Sequence, residues 1–314
     1  RWDTRVGSID LSIPRLRKGT YFPSWLLEPR RRSERALMAV IAESYVLGVS
    51  TRRVEDLVQT MGIAGISKSQ VSEIAATLDE AVGQFLNRPL GGTTYRFVWL
   101  DALAIRCREA GRVANVHCVI AIGVSASGQR EILGLDVVTE EDGAGWLGFL
   151  RGLVSRGLKG VELTISDAHL GLKDAIAAVF PGAAWQRCRT HFMRNLLAKV
   201  PKAAQQVVAS LVRSIFAQPD AESVWTQHTV ILRQLEQRFP KAAEALEDAA
   251  DDILAFTHFP KTYWRQIWSN NPLERLNKEI RRRTDVVGIF PNRDAITRLV
   301  GALLAEQNDE WATT

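Results

Sequence analysis

Phe97-Val98-Trp99-Leu100-Asp101-Ala102-Leu103-Ala104-Ile105 is a run in which a single carboxylate interrupts otherwise apolar side chains. So apolar a stretch reads as a strand buried on both faces, as a central strand is when helices cover its sheet. A carboxylate inside it must be paired, bound to a metal or placed at the strand's exposed edge. Working outward, Tyr95–Cys107, Val113–Val124 and Glu131–Val138 read as three strands, with Gly111 and Ser127-Gly128 in the connections. A helix is expected over 141–155, a strand over 161–165, a helix from Ala168 that stops before Pro181-Gly182, and a fifth strand over 184–188. Three consecutive strands followed by alternating helix and strand imply an α/β fold, a mixed sheet with flanking helices.

The flanking regions differ. Residues 1–32 alternate apolar and polar around Gly7 and Pro14 and read as an extended arm or hairpin. Residues 33–90 read as a helical domain: Ser33 and Ser50 can cap two helices, and Ser67-Lys68-Ser69-Gln70 is a capping-box pattern opening a third. With the turn Gly62-Ile63-Ala64-Gly65 between them, the last two form a helix-turn-helix pattern, whose second helix would present Lys68, Ser69 and Gln70 to a major groove. Many helical bundles share that pattern. Residues 91–190 carry the sheet. Residues 191–268 show only helical periodicity and read as an all-helical insertion, and 269–314 return to the sheet domain with a helix from Pro272, a break at Gly288–Asn292 and a last helix from Arg293.

The whole chain has 314 residues, 40 Lys and Arg against 35 Asp and Glu, and 46% hydrophobic residues, an ordinary globular composition of two or three domains. Its longest mostly apolar run, Val116–Val124, is far shorter than the ~20 residues of a membrane helix. Three cysteines, Cys107, Cys118 and Cys188, fit a reducing compartment better than a disulfide scaffold. The chain opens on Arg1 rather than Met, so a preceding segment is expected. Positive charge is clustered in residues 1–53, in residues 185–202 (Arg187, Arg189, Arg194, Lys199 and Lys202, with no acid) and in Arg275, Lys278, Arg281, Arg282 and Arg283. Each cluster alone fits a solvated face; three together point to a polyanion, because neutralised phosphates release counterions.

Three carboxylates merit comparison. Asp101 interrupts the apolar strand. Asp167 ends Leu163-Thr-Ile-Ser-Asp, where it can either cap the next helix or stand at a strand's carboxyl end, the usual place of sites in α/β sheets. Glu274 can close a capping box with Asn271 as N-cap and Pro272 behind it, or serve chemistry. Cys188-Arg-Thr-His191 has half of a zinc spacing, and His191 suits contact with a phosphate or support of a carboxylate equally well. No P-loop, dinucleotide-binding glycine loop or serine nucleophile elbow occurs.

Asp101-Ala-Leu-Ala-Ile-Arg, Ser166-Asp-Ala-His-Leu-Gly-Leu, Cys188-x-x-His191, Asn271-Pro-Leu-Glu-Arg-Leu-Asn-Lys-Glu-Ile-Arg-Arg-Arg-Thr, Gly288-Ile-Phe-Pro-Asn292, Val49-Ser-Thr-Arg-Arg and Ser67-Lys-Ser-Gln-Val-Ser together resemble bacterial insertion-sequence transposases of the Mutator type. The likeness covers nearly the whole chain. It implies a ribonuclease H-like core and a DDE transposase that cleaves DNA at transposon ends by hydrolysis and joins it to a target by transesterification. The implied catalytic and metal-binding triad is Asp101, Asp167 and Glu274, holding two Mg²⁺ ions (or Mn²⁺) ~4 Å apart, with Cys188 and His191 in support. The implied partners are double-stranded DNA (terminal inverted repeats and target) and a second copy on paired ends, in a bacterial cytoplasm at the nucleoid and with no membrane. Lys68, Ser69, Gln70, Arg187, Arg189, Arg275, Lys278, Arg281, Arg282 and Arg283 are the expected DNA contacts. A nuclease or resolvase on the same fold and a non-catalytic DNA-binding regulator are the competing readings.

Overall fold

The computed structural model describes residues 2–4, 7–9, 41–46, 53–54, 63–64, 75–76, 78–140 and 142–313. The capping serines Ser33, Ser50 and Ser67 and the groove-facing Lys68, Ser69 and Gln70 lie outside the described residues. The chain divides into two compact units, one of residues 1–87, 105–115 and 278–309, the other of residues 88–104, 116–277 and 310–314.

In the first unit, β1 (Trp2–Thr4), β2 (Gly7–Ile9) and β3 (Ile63–Ala64) form a small sheet, antiparallel throughout, with Trp2 opposite Ile9 and Ile9 opposite Ile63. Within the residues read as an extended arm or hairpin, β1 and β2 are therefore an antiparallel pair, and Ile63-Ala64 is the third strand of their sheet. A short hairpin is marginal alone, and a third strand pairs its open edge. Residues 41–46 and α1 (Leu78–Leu86) are helical, as the periodicity predicts.

The second unit contains most of a five-stranded sheet. Its strands are β4 (Tyr95–Glu109), β5 (Arg112–Ser125), β6 (Arg130–Val138), β7 (Leu163–Ser166) and β8 (Ala184–Arg187), in the order β6-β5-β4-β7-β8. A two-residue connection joins β4 to β5, with Ala110 and Gly111 at φ 47° and 80°, the geometry of a tight antiparallel turn. β5 and β6 are antiparallel, whereas β7 runs parallel to both β4 and β8. The mixed sheet and its strand-strand-strand-helix-strand-helix-strand order agree with the expectation from sequence.

Parallel strands need crossovers, and two helices supply them. α2 (Gly143–Ser155) is capped by Asp142, whose Oδ1 accepts from Gly145 N at 2.8 Å; α3 (Leu170–Val179) follows β7. Val98 and Leu100 of β4 share a core with Trp146, Phe149 and Leu150 of α2 and with Leu172 and Ile176 of α3. Phe97 and Trp99, on alternate positions, find different partners. Phe97 meets Phe259 and Tyr263 at ring-centroid distances of 5.6 and 5.3 Å, and Trp99 Nε1 donates to Ser269 O at 3.1 Å. Strand β4 is apolar on both sides because both sides are covered.

The all-helical insertion is present. It consists of α4 (Arg189–Leu197), α5 (Lys202–Ile215), α6 (Ala221–Glu236), α7 (Pro240–Asp248), α8 (Ala250–Leu254), a 3₁₀ turn (Ala255–His258) and α9 (Lys261–Ile267). Phe256 anchors it among Phe216, Trp264 and Trp268, at centroid distances of 5.8, 5.1 and 5.7 Å. Buried Gln186 of β8 ties it to the sheet, donating to Ile253 O at 2.9 Å and accepting from Phe256 N at 2.8 Å. Two helices complete the chain, α10 (Asn271–Val287) and α11 (Arg293–Thr313). The break between them is built by Gly288 at φ +74°, by fully buried Phe290, whose backbone bonds to Arg106 and Arg108, and by Asn292 Oδ1, which caps Ala295 N at 2.9 Å. Among the described residues, no helix is long and apolar enough to cross a membrane.

Helices α2 and α3 touch backbone to backbone: a Cβ on Gly171 would stand 2.5 Å from Gly143 N. Gly171→Ala is therefore expected to destabilise the fold by about 1–3 kcal/mol, since neither backbone can yield without moving a helix; the urea midpoint measures it. A second expectation concerns His228, which is 5% exposed on α6 with Nε2 3.3 Å from Leu246 O. Burial lowers its pKa below the usual 6.5, with the Leu246 bond and Glu247 opposing. The folded state thus holds a neutral ring that the unfolded chain would protonate. Stability is full above about pH 6.5 and declines as pH falls through the folded value, so the melting temperature should drop below pH 6.5 and drop less in His228→Gln.

Candidate active site

The parallel registers place the candidate residues. Trp99 pairs with Ile165 and Ser166 with Arg187. Continuing each register brings Asp101 level with Asp167 and Asp167 level with Cys188, one row across three neighbouring strands spaced ~4.8 Å apart. Backbone bonding follows that continuation, because Cys188 N donates to Ser166 O at 2.7 Å.

Helix α10 is fastened to the same row. Asn270, just before its first residue, donates from Nδ2 to Leu100 O at 3.1 Å and from its backbone N to Cys188 Sγ at 3.2 Å. Asn277 Nδ2 donates to Asp101 Oδ2 at 2.8 Å. Asn270, Glu274 and Asn277 recur at i, i+4 and i+7, the spacing of one helical face. Half-buried Glu274 therefore lies on the face of α10 that bonds to β4, between the two asparagines that make those bonds.

Each carboxylate can now be separated from its structural alternative. Half-buried Asp101 is held at both oxygens, Oδ1 accepting from Ala102 N at 3.0 Å and Oδ2 from Asn277. Asp167 is not the N-cap of α3: that cap is His169, whose Nδ1 faces Leu172 N at 3.4 Å, while Asp167 Oδ1 accepts from Ala168 N at 2.7 Å. The capping box expected at Asn271 and Glu274 also shifts. The helix begins at Asn271 itself, Glu274 N donates to Asn270 O at 2.8 Å, and the side chain of Asn270 turns to β4. Capping accounts for neither Asp167 nor Glu274.

Cys188 is fully buried at the start of α4, and His191 lies one turn later, half-buried, with Nδ1 3.9 Å from Asp167 Oδ2. The His191 pKa is raised to about 9, first by the Cys188 sulfur and then by Asp167 and Asp101, against the opposing effect of burial. A ring so shifted carries positive charge at neutral pH, and its Nδ1 faces Asp167. Among the described residues, no three His, Cys, Asp or Glu side chains form a ready-made metal cluster. Buried polar atoms without a hydrogen-bond partner gather beside the row, among them Ser269 Oγ, Asn270 Oδ1 and Asn277 Oδ1.

The basic residues differ in availability. Arg187 sits over the Phe192 ring at 5.2 Å with its Nε buried and unbonded, and Arg189 lies over Trp268 at 4.2 Å. On α10, Arg275, Lys278 and Arg281 are exposed. Arg282 and Arg283 share Glu279, at 3.2 and 2.7 Å, and Arg283 is buried with a further bond to Val46 O at 2.9 Å. Sequence reasoning missed Asn270 and Asn277. Their signal was spacing: two amides flanking Glu274 at helical intervals.

Residues 1–314 match the family described as "Transposase, Mutator family". The transposase for insertion sequence element IS1081 of Mycobacterium tuberculosis is 60% identical, over 99% of this chain and 75% of that protein. The transposase for IS406 of Burkholderia multivorans is 42% identical, over 99% of this chain and 80% of that protein. Among solved structures, a Drosophila P element transposase strand transfer complex aligns over 87% of this chain and 93% of that one, with TM-score 0.47 and 11% identity.

In metal-free protein, the His191 ring is expected to titrate near pH 9 by NMR. Cys188→Ala should lower that midpoint more than Asp167→Asn, following the order of their contributions. Because this folded value exceeds the unfolded one of about 6.5, the associated stability is present in full below pH 6.5 and is lost as pH rises toward 9.

Proposed function

The chain belongs to the Mutator family of transposases, and from that premise we propose that it cuts and joins DNA by metal-dependent phosphoryl transfer at Asp101, Asp167 and Glu274. The observation that carries the proposal is the row itself. Continuing the parallel register, Asp101 of β4 falls level with Asp167, one residue past the end of β7, and the helix bearing Glu274 is hydrogen-bonded to β4 on both sides of it.

The donor set fits Mg²⁺, or Mn²⁺ in its place. Carboxylate oxygens are hard ligands, and Mg²⁺ commonly takes one or two of them with waters and substrate phosphate oxygens, so no preformed cage is required. Asn270 Oδ1 and Asn277 Oδ1, buried and unpartnered, are acceptors suited to waters around such an ion. Asp101, Asp167 and Glu274 would hold two such ions, which would supply activation of the attacking oxygen, from water or a 3′-hydroxyl, and stabilisation of the leaving oxygen.

This chain's residues supply the rest. Asn277 holds Asp101 in one rotamer, and Trp99 with Asn270 holds the start of α10 against β4, so Glu274 is positioned before substrate arrives. His191, protonated at neutral pH, offsets the mutual repulsion of Asp101 and Asp167 when no metal is present. Exposed Arg275, Lys278 and Arg281 suit DNA phosphates, whereas Arg282 and Arg283 are engaged with Glu279. Double-stranded DNA, with terminal inverted repeats as one partner and target as the other, is the proposed substrate, and a second copy of the chain on paired ends the proposed assembly. The domain limits read from sequence, a helix-turn-helix domain over 33–90 and a sheet domain interrupted by the insertion, form part of the same proposal.

The test is strand transfer on a labelled transposon-end duplex with Mg²⁺ or Mn²⁺. Asp101→Asn, Asp167→Asn and Glu274→Gln should each lower joining by roughly 10²–10³-fold or more while duplex binding persists. Joining at wild-type rate in any of the three overturns the triad. Cleavage without joining in the wild type would make the protein a nuclease, and binding without cleavage a regulator.

A further inference from the structure

The helical insertion carries a feature that the triad does not use. A cavity of about 580 Å³ lies along α4 and α5, lined by Arg189, Arg194 and Arg213 together with Met193, Leu197 and Ala198. None of the residues lining it is acidic, and among the described residues no carboxylate forms an ion pair with any of the three arginines.

Burial apart, Arg213 is near enough to Arg189 for its charge to lower the Arg189 pKa, and an anion held among the three arginines would relieve that repulsion. The Arg189 Cζ lies 4.2 Å from the Trp268 ring centroid and 5.0 Å from that of Phe216. Such stacking uses the flat face of the guanidinium and leaves its N–H edges for a planar or tetrahedral anion. Burial lowers the Arg189 pKa, and the charge of Arg213 lowers it further, against the opposing Cys188 sulfur. The cavity exceeds what a phosphate alone needs, lies within the ~300–1,000 Å³ of small-ligand sites, and its apolar wall would be unused by a bare ion.

We propose that this cavity binds one nucleotide, with Arg189, Arg194 and Arg213 on the phosphate and the base against Met193, Leu197 and Ala198. The proposal rests on the reading of the chain as a protein acting on DNA, and it names where an unstacked nucleotide of a strand would be held. Because α4 also carries His191, an occupied cavity would lie on the helix that contributes to the catalytic row. A nucleotide of a DNA strand and a free nucleotide share this chemistry.

Labelled oligothymidylate binding to the full chain, followed by anisotropy from about 50 to about 200 mM salt, and calorimetric titration with free dTMP and with inorganic phosphate, test it. The variant is Arg194→Gln with Arg213→Gln; both residues are exposed, so the fold should hold, and the melting temperature checks this. The double variant should bind oligothymidylate at least about tenfold more weakly, with a log–log salt slope shallower by up to roughly 0.7, the single phosphate contact these arginines share. Loss of oligothymidylate binding with negligible dTMP affinity assigns the site to a strand; dTMP binding that the variant abolishes assigns it to a free nucleotide. Unchanged binding of both probes in the variant overturns the proposal, as does a wild-type chain that binds neither, or one that binds phosphate as tightly as dTMP. These readouts are equilibrium binding, so they separate from the strand-transfer result with the carboxylate variants, which can succeed or fail on its own.

Discussion

The bonds that fasten the start of α10 to β4 are the constraint on which the rest of the site depends. Trp99 reaches Ser269 and Asn270 reaches Leu100, both buried and both spanning 170 positions of sequence. In a low-dielectric interior such bonds are strong, and losing one partner strands a buried donor or acceptor at about 1–3 kcal/mol. They therefore specify where the helix begins as well as contributing to stability. Glu274 inherits its place from them. So does Asp101, whose Oδ2 is held by Asn277 of the same helix.

That constraint explains why the insertion costs the site nothing in accuracy. Between Asp167 and Glu274 the chain passes through seven α-helices, yet it returns to β4 at a fixed level. Its aromatic centre, Phe216, Phe256, Trp264 and Trp268, leads directly into Ser269 and Asn270. Gln186 closes the circuit from the other end, joining β8 to residues 253 and 256. The insertion is thus a packed wall on the face of β4 opposite α2 and α3, and the residues that follow its aromatic centre set where α10, with Glu274, begins.

Most of the secondary structure was legible because local signals and burial agreed. The apolar run around Asp101 became the central strand, and Gly288 and Asn292 mark the end and start of helices in the way their chemistry requires. Where the reading departed from the structure, a distant partner decided. Ile63-Ala64 looks like a turn until its pairing with β2 is known. Asp167 looks like a cap until His169 takes that position. The two asparagines showed only their spacing around Glu274: an amide's role depends on what lies opposite it, and here that is a strand 170 or more residues away.

Charge was the least legible property, because a count of arginines does not tell which of them already have partners. The cluster on α10 looks uniform in sequence, yet Arg283 is buried against Glu279 and Val46 while Arg275 and Arg281 face solvent. The cluster after β8 shows the opposite surprise. Arg189, expected from sequence as a DNA contact, is half-buried and pressed against two rings, yet it has no carboxylate partner among the described residues. A guanidinium that is desolvated, rigid and unpaired is the kind that gains most from an incoming phosphate, since the expense of dehydrating and ordering it has already been met in folding. Exposed arginines must lose water and freedom at each encounter, so they favour approach and register over tight holding. Division of labour between mobile surface cations and one fixed, aromatic-backed arginine therefore follows from burial, and not from the number of charges.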